Sequence, residues 1–193
     1  MDESGKWALR RRLVAARRAV PAAVREVEAA ALAAEAGAAL IGAPGRVCAY
    51  WPVGGEPGSP ELLDTLARRG WRVLLPVVSA VAEPLDWAEY TGAESLRAGP
   101  LGLLEPTGPR LGRAAITAAA LVLVPALAVD RHGTRLGRGG GHYDRSLPLA
   151  RPGTPLIAIV RDDEVLDSLP AQPHDVPVTA ALTPNRGLLP LPS

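Results

Sequence analysis

The sequence contains no phenylalanine, one cysteine, one methionine and, among 21 basic residues, a single lysine. Each scarcity excludes something. One thiol cannot staple a fold, so Cys48, inside the apolar run "RVCAYW", reads as a small buried hydrophobe, and a reducing compartment is expected. No run of about 18 apolar residues is present, which excludes a membrane-spanning helix by length. Acidic Asp2 and Glu3 open the chain with no apolar stretch ahead of a cleavage site, so a cytoplasmic location is expected. Neither sign of charge is in excess: 21 basic residues face 20 acidic ones, for a net charge of +1. A long-range field that recruits nucleic acid or an anionic membrane is therefore not expected, nor a partner of either kind. Local patches must carry any anion binding. The arginine bias, alongside abundant Ala, Gly and Pro, points to GC-rich coding rather than disorder. Against that drift Lys6 marks a place where a compact ammonium serves better than a planar guanidinium fork.

What is present suffices for one core. With 193 residues, 48% of them hydrophobic, a single domain over residues 1–193 is the expected organisation. From about residue 3, Trp7, Leu9, Leu13 and Val20 recur among charges, and Pro21 then starts an Ala-rich helix that stops near Gly42; the chain opens with two helices. "GRVCAYWPV" reads as a strand, Ser59 to Arg69 as a helix ended by Gly70, and "WRVLLPVV" as a second strand, a βαβ unit that implies parallel pairing. From about Ala82 to Arg113, Gly and Pro punctuate the chain around a candidate extra strand, "EPLDWAEY", and a long surface loop over a site is expected. There follow the strand "AALVLVPA", a glycine-rich loop, a helix from about Gly141 to Ala150, the strand "TPLIAIV", a short helix in "DDEVLDSL" and a last strand in "VPVTAAL". This alternation specifies an α/β fold: a three-layer sandwich with a mostly parallel central sheet and helices on both faces.

Ligands of such sheets bind beyond the carboxyl ends of the strands. Glu56, the loop from Arg135 to Tyr143 and the pair His174–Asp175 all lie just after strands or in a neighbouring loop, consistent with one shared cleft. In "RLGRGGGHYD" four glycines remove side chains so that backbone N–H groups can approach an anion, while Arg135 and Arg138 offer charge. A following helix adds its amino-terminal dipole. Composition alone leaves two readings open, a flexible strand-to-helix joint or a polyphosphate cradle. The loop is neither a Walker A motif nor the spaced dinucleotide fingerprint.

The run "LVLVPALAVD" through "GTRLGRGGGHYDR" resembles the signature of the 5-formyltetrahydrofolate cyclo-ligase family, also called 5,10-methenyltetrahydrofolate synthetases. Other segments fall in that family's order: "KWALR" provides Lys6 and Arg10, "YWPVGGE" provides Glu56, and "HD" is matched by His174 and Asp175. The resemblance implies an ATP- and magnesium-dependent enzyme that closes 5-formyltetrahydrofolate into 5,10-methenyltetrahydrofolate, monomeric or weakly associated, in the cytoplasm. It places Arg135, Leu136, Gly137, Arg138, Gly139, Gly140, Gly141, His142 and Tyr143 around the ATP phosphates. Arg138 would stabilise the transferring group, with Tyr143 as the second catalytic residue. Lys6 and Arg10, one helical turn apart, would add cationic contacts to ATP. Asp144 and Asp175 would be magnesium ligands, Glu56 would bind the pterin end of the folate, and Trp51 would supply apolar surface beside it.

Each of these residues also has a bland reading. Lys6 and Arg10 fit a solvated basic face, Asp144 a cap or a partner of Arg145, Asp175 a turn before Pro177, Glu56 a loop charge and Trp51 the core. The sequence departs from the family at His142, where a second tyrosine is common, at Val129, where phenylalanine is usual, at Gly140, where some members have lysine, and at Leu101, where some carry an aromatic folate contact. The departures at Leu101, Val129 and His142 motivate a competing reading, a relative that keeps the nucleotide loop and acts on another substrate. A non-catalytic anion- or RNA-binding module is a further alternative, opposed by the near-zero net charge and the scarcity of aromatics.

Overall fold

The structure is a computed structural model that describes residues 3–39, 44–78, 83–99, 102–172 and 175–192. The opening helices are α1 (Glu3–Ala19) and α2 (Ala22–Ala39). They part at Pro21, which cannot lie within a helix without losing a hydrogen bond and meeting the preceding turn. α2 turns Leu32, Ala33 and Ala36 inward, toward α3 (Pro60–Arg68) with its buried Leu62, Leu63 and Leu66. Ser59 starts α3: its hydroxyl accepts from the Leu62 N–H at 3.3 Å, and Pro60 occupies the first turn, where its missing N–H costs nothing.

In chain order the strands are β1 (Arg46–Cys48), β2 (Arg72–Val77), β3 (Asp86–Glu89), β4 (Leu96–Ala98), β5 (Leu104–Pro106), β6 (Ala119–Pro125), β7 (Ala128–Asp130), β8 (Arg135–Leu136), β9 (Leu156–Ile159), β10 (Val165–Leu166), β11 (Ala180–Thr183) and β12 (Gly187–Pro190). Seven form the main sheet in the order β12-β11-β9-β6-β1-β2-β3. The inner pairings, β11/β9, β9/β6, β6/β1 and β1/β2, are parallel, and both edge strands are antiparallel. The expected βαβ unit is β1-α3-β2. Every residue of β9 and β11 is buried, as a sheet covered on both sides requires.

The two sheet faces carry separate cores. On one, α2 and α3 cover Val47, Val73, Leu75, Leu123 and Ile159. On the other, Cys48, Leu74, Val122, Val124 and Ala158 lie beneath Trp87, Ile116 and Leu147, contributed by β3 and by short 3-10 turns at Arg113–Ala118 and Leu147–Leu149. α1 packs elsewhere, setting Leu13 against Leu127, Ala128, Leu136 and Leu169 beside the small sheet β10-β7-β8.

Several elements differ from expectation. β1 ends at Cys48 rather than near Val53: Ala49 still donates to the Leu74 carbonyl, after which Pro52 and the Gly54–Gly55 turn lead the chain out of the ladder. The helix expected in "DDEVLDSL" is a 3-10 turn at Asp162–Glu164, because Val165 and Leu166 pair with Val129 and Asp130 as β10. The helix expected from Gly141 is α4 (His142–Ser146) extended by the 3-10 turn to Leu149. Within the long middle loop β4 and β5 form a hairpin, and β12, beyond the last strand expected, pairs with β11 as an edge strand that tolerates Pro190. The candidate strand "EPLDWAEY" is β3, antiparallel to β2.

Candidate active site

The cleft is built at the carboxyl end of the sheet. β6 stops at Pro125, β7 and β8 fold back as a two-stranded turn, and the glycine loop then runs from Gly137 to α4. Asp130 holds that turn: its carboxylate accepts the N–H groups of His132 and Thr134, each at 2.9 Å, and of Leu169 at 2.8 Å. Gly139 and Gly141 have φ of +98° and +68°, a conformation that a side chain would strain, so the loop needs glycine there for its shape. α4 is a single turn, so the helix dipole expected behind the loop is small and anion binding falls to loop amides and arginines.

A cleft of about 350 Å³ opens between this loop, the end of β1 and the β4–β5 hairpin. Its wall contains Arg135, Gly137 to Asp144, Trp51 and Glu56, the residues that the sequence placed in one site. Arg10 reaches the loop from α1, donating from Nε to the Gly137 carbonyl at 3.0 Å. One turn earlier, Lys6 is buried and its Nζ lies 3.5 Å from Asp175, whose carboxylate also accepts the Gln172 N–H at 2.7 Å. Lys6 and Asp175 thus meet beside the loop contact rather than in the cleft wall. Leu136 turns its side chain into the core beneath α1 and offers only backbone. Trp51 serves two roles: it packs against the core, 6.2 Å from the Tyr90 ring, and lines the cleft. His142 rests its Nδ1 3.3 Å from the Glu83 carbonyl oxygen, and Val129 is fully buried in β7. Leu101 and His174 lie outside the described residues.

The charges of the cleft are paired. Arg135 bonds Asp144, Arg138 lies 3.0 Å from Glu56, and Arg17 makes a bidentate pair with Glu164 at 2.6 and 2.7 Å. Arg17 also donates to the Ala126 carbonyl at 2.6 Å and lines the cleft floor. Sequence reasoning missed it, although Lys6, Arg10, Leu13 and Arg17 share one helical stripe and the buried ones among them mark the inward face. It also missed Tyr50, buried at the end of β1, whose hydroxyl donates to the Pro57 carbonyl at 2.6 Å. Leu103 and Leu104 come from a hairpin that the sequence does not announce.

Tyr143 is the unusual wall residue. Its hydroxyl is buried with no hydrogen-bond partner among the described residues. Burial, first, and then the nearby Glu56 carboxylate push its pKa well above the ordinary tyrosine value, so the hydroxyl stays protonated within the cleft wall.

A mostly parallel α/β sheet whose carboxyl edge carries a glycine loop, arginine–carboxylate pairs and an apolar wall defines an α/β protein with a charged cleft at that edge. The sequence pattern of the 5-formyltetrahydrofolate cyclo-ligase family matches residues 2–184. The 5-formyltetrahydrofolate cyclo-ligase of Mycolicibacterium smegmatis is 54% identical over 149 residues, 75% of this chain and 76% of that protein. Its Escherichia coli namesake is 30% identical over 142 residues, 72% and 78% of the two chains. The chain belongs to the 5-formyltetrahydrofolate cyclo-ligase family. Solved 5,10-methenyltetrahydrofolate synthetases share the fold: that of Aquifex aeolicus superposes with a TM-score of 0.76 at 24% identity, covering 97% of this chain and 93% of its own. That of Mycoplasma pneumoniae gives 0.74 at 21% identity, covering 94% and 98%. Among the described residues no helix is long and apolar enough to cross a membrane.

Proposed function

We propose that this protein uses ATP to convert 5-formyltetrahydrofolate into 5,10-methenyltetrahydrofolate, with release of ADP and phosphate. The observation that carries the reading is one cleft walled on one side by the glycine loop with Arg135 and Arg138, and on the other by Trp51 and Glu56 from the end of β1. An N-formyl oxygen leaves poorly as hydroxide. Once that oxygen has received the terminal phosphoryl group, N10 can attack the formyl carbon and the oxygen departs within phosphate. The protein's task is alignment and charge neutralisation.

In this reading the loop amides, Arg135 and Arg138 hold the phosphates, Arg10 fixes the loop from α1 through the Gly137 carbonyl, and Lys6 and Arg10 add cationic charge toward ATP. The protonated Tyr143 hydroxyl donates to an oxygen of the transferring group. The Glu56 carboxylate accepts hydrogen bonds from the amino-pyrimidinone edge of the pterin, against Trp51. No group of three or more His, Cys, Asp or Glu side chains among the described residues could cage a metal. Magnesium would be held by Asp144, which lines the cleft; Asp175, paired with Lys6 beside the cleft wall, is the second carboxylate that the family resemblance suggests. Magnesium held there would supply charge neutralisation at the phosphates.

The test is spectroscopic. Protein, 5-formyltetrahydrofolate, ATP and magnesium together should generate the near-ultraviolet band of the methenyl product, and omission of ATP or magnesium should abolish it. Asp144→Ala should lower turnover by about 100-fold or more while circular dichroism shows an intact fold. Absence of the band from protein that still binds ATP would move the assignment to another substrate.

A further inference from the structure

Glu56 and Arg138 have opposite assignments, one to folate and the other to nucleotide, yet they hold each other. Arg138 Nε lies 3.0 Å from Glu56 Oε1, and Arg138 Nη2 donates to the Val53 carbonyl at 3.1 Å. The other carboxylate oxygen, Oε2, accepts the Val53 N–H at 3.0 Å. The arginine thus bridges the cleft from the glycine loop to the turn after β1, and both Glu56 oxygens are engaged. The two ends of the bridge differ. The Glu56 side chain is 10% exposed and that of Arg138 46% exposed. A carboxylate so enclosed needs a partner, whereas a half-exposed guanidinium can turn toward another anion at small cost.

Phosphates entering the glycine loop compete with Glu56 for Arg138. The donor edge of a pterin competes with Arg138 for Glu56. We propose that the Arg138–Glu56 pair couples the two ligands: each ligand releases from the pair the group that the other needs, so that binding either one tightens the other. The inference rests on the assignment of nucleotide and folate to this cleft. Linkage makes the coupling reciprocal, since nucleotide must sharpen folate affinity by the factor by which folate sharpens nucleotide affinity. Arg138 then has a role beyond phosphate binding: it favours the protein carrying both ligands over the protein carrying folate alone.

Calorimetric titration of 5-formyltetrahydrofolate, with and without magnesium and a β,γ-imido ATP analogue that cannot transfer its phosphoryl group, reads the coupling directly. For the unaltered protein the folate Kd should fall about fivefold or more when the analogue is present. Arg138→Met should bind folate without nucleotide about fivefold more tightly than the unaltered protein, and the analogue should then change its Kd by less than about twofold. Reciprocally, Glu56→Gln should bind the analogue more tightly in the absence of folate. A damaged fold does not raise affinity, so these gains separate coupling from misfolding; if Arg138→Met does not fold, Glu56→Gln decides by the same criterion. Unchanged or weaker affinity in the folded variants overturns the coupling, as does independent binding of the two ligands to the unaltered protein. If the unaltered protein binds neither ligand, the functional reading falls and the coupling falls with it.

Discussion

The Tyr143 hydroxyl has no hydrogen-bond partner among the described residues although it is buried, and such a group costs stability unless something else repays it. In the proposed function, donation to the transferring phosphoryl group accounts for its retention. Tyr143→Phe should therefore leave the melting temperature unchanged or raise stability by about 1 kcal/mol, because the orphan polar group is gone. It should also lower kcat by about 100-fold, as removal of one preorganised donor does. Thermal denaturation and initial rates on the same samples check both; a loss of stability with full activity would make the residue structural. At this scale the sequence was informative wherever a residue type is rarely chosen without cause. The glycines of the loop, Lys6 as the lone lysine, and the Glu56 carboxylate after a strand are all of that kind, and the fold brings them to one edge. Arg17 was hidden because one of twenty arginines carries no such signal.

α1 shows what periodicity adds to residue type. Its inward stripe puts Lys6, Leu13 and Arg17 below one-tenth exposure, so two of the three are charged, and each charge has its carboxylate. Buried ion pairs contribute little net stability, but removing one partner strands the other. Arg17→Met should thus cost about 3–5 kcal/mol in urea denaturation, while Arg17→Met combined with Glu164→Met should recover most of that loss. A double variant as unstable as the single one would show that packing, not charge, dominates there. The regular elements were readable because β-branched runs, Ser59-Pro60 and Gly70 are local signals. The unread strands, β7, β8, β10 and β12 and the hairpin of β4 and β5, run two to four residues each. So short a segment has no period of its own and becomes a strand only when a partner supplies hydrogen bonds.

At the scale of the molecule, Cys48 reports on the sheet. It is fully buried in β1, between β2 and β6, and burial pushes its thiol up to about 12 against a weaker opposing effect of Arg46. At pH 8 a disulfide reagent should fail to label folded protein, and labelling should appear with urea only as the sheet unfolds; fast labelling of native protein would contradict this burial. The direction of the shift also sets a pH effect. The unfolded thiol ionises near 9.0 and the folded one near 12, so this contribution to stability is complete below pH 9 and declines as pH rises toward 12. The alternation of strands and helices was enough to imply a layered, mostly parallel sheet, because burial on both faces demands continuous apolar runs and crossover helices. Local sequence likewise determined the glycine loop, since chain reversal without side chains is a property of the residues themselves. Only the tertiary structure decided which charge faces which. The pairs Arg17–Glu164, Arg135–Asp144 and Arg138–Glu56 join residues nine to 147 positions apart, and nothing local selects a partner across such distances. That choice is made when the sheet closes and each enclosed charge settles on the nearest group able to compensate it.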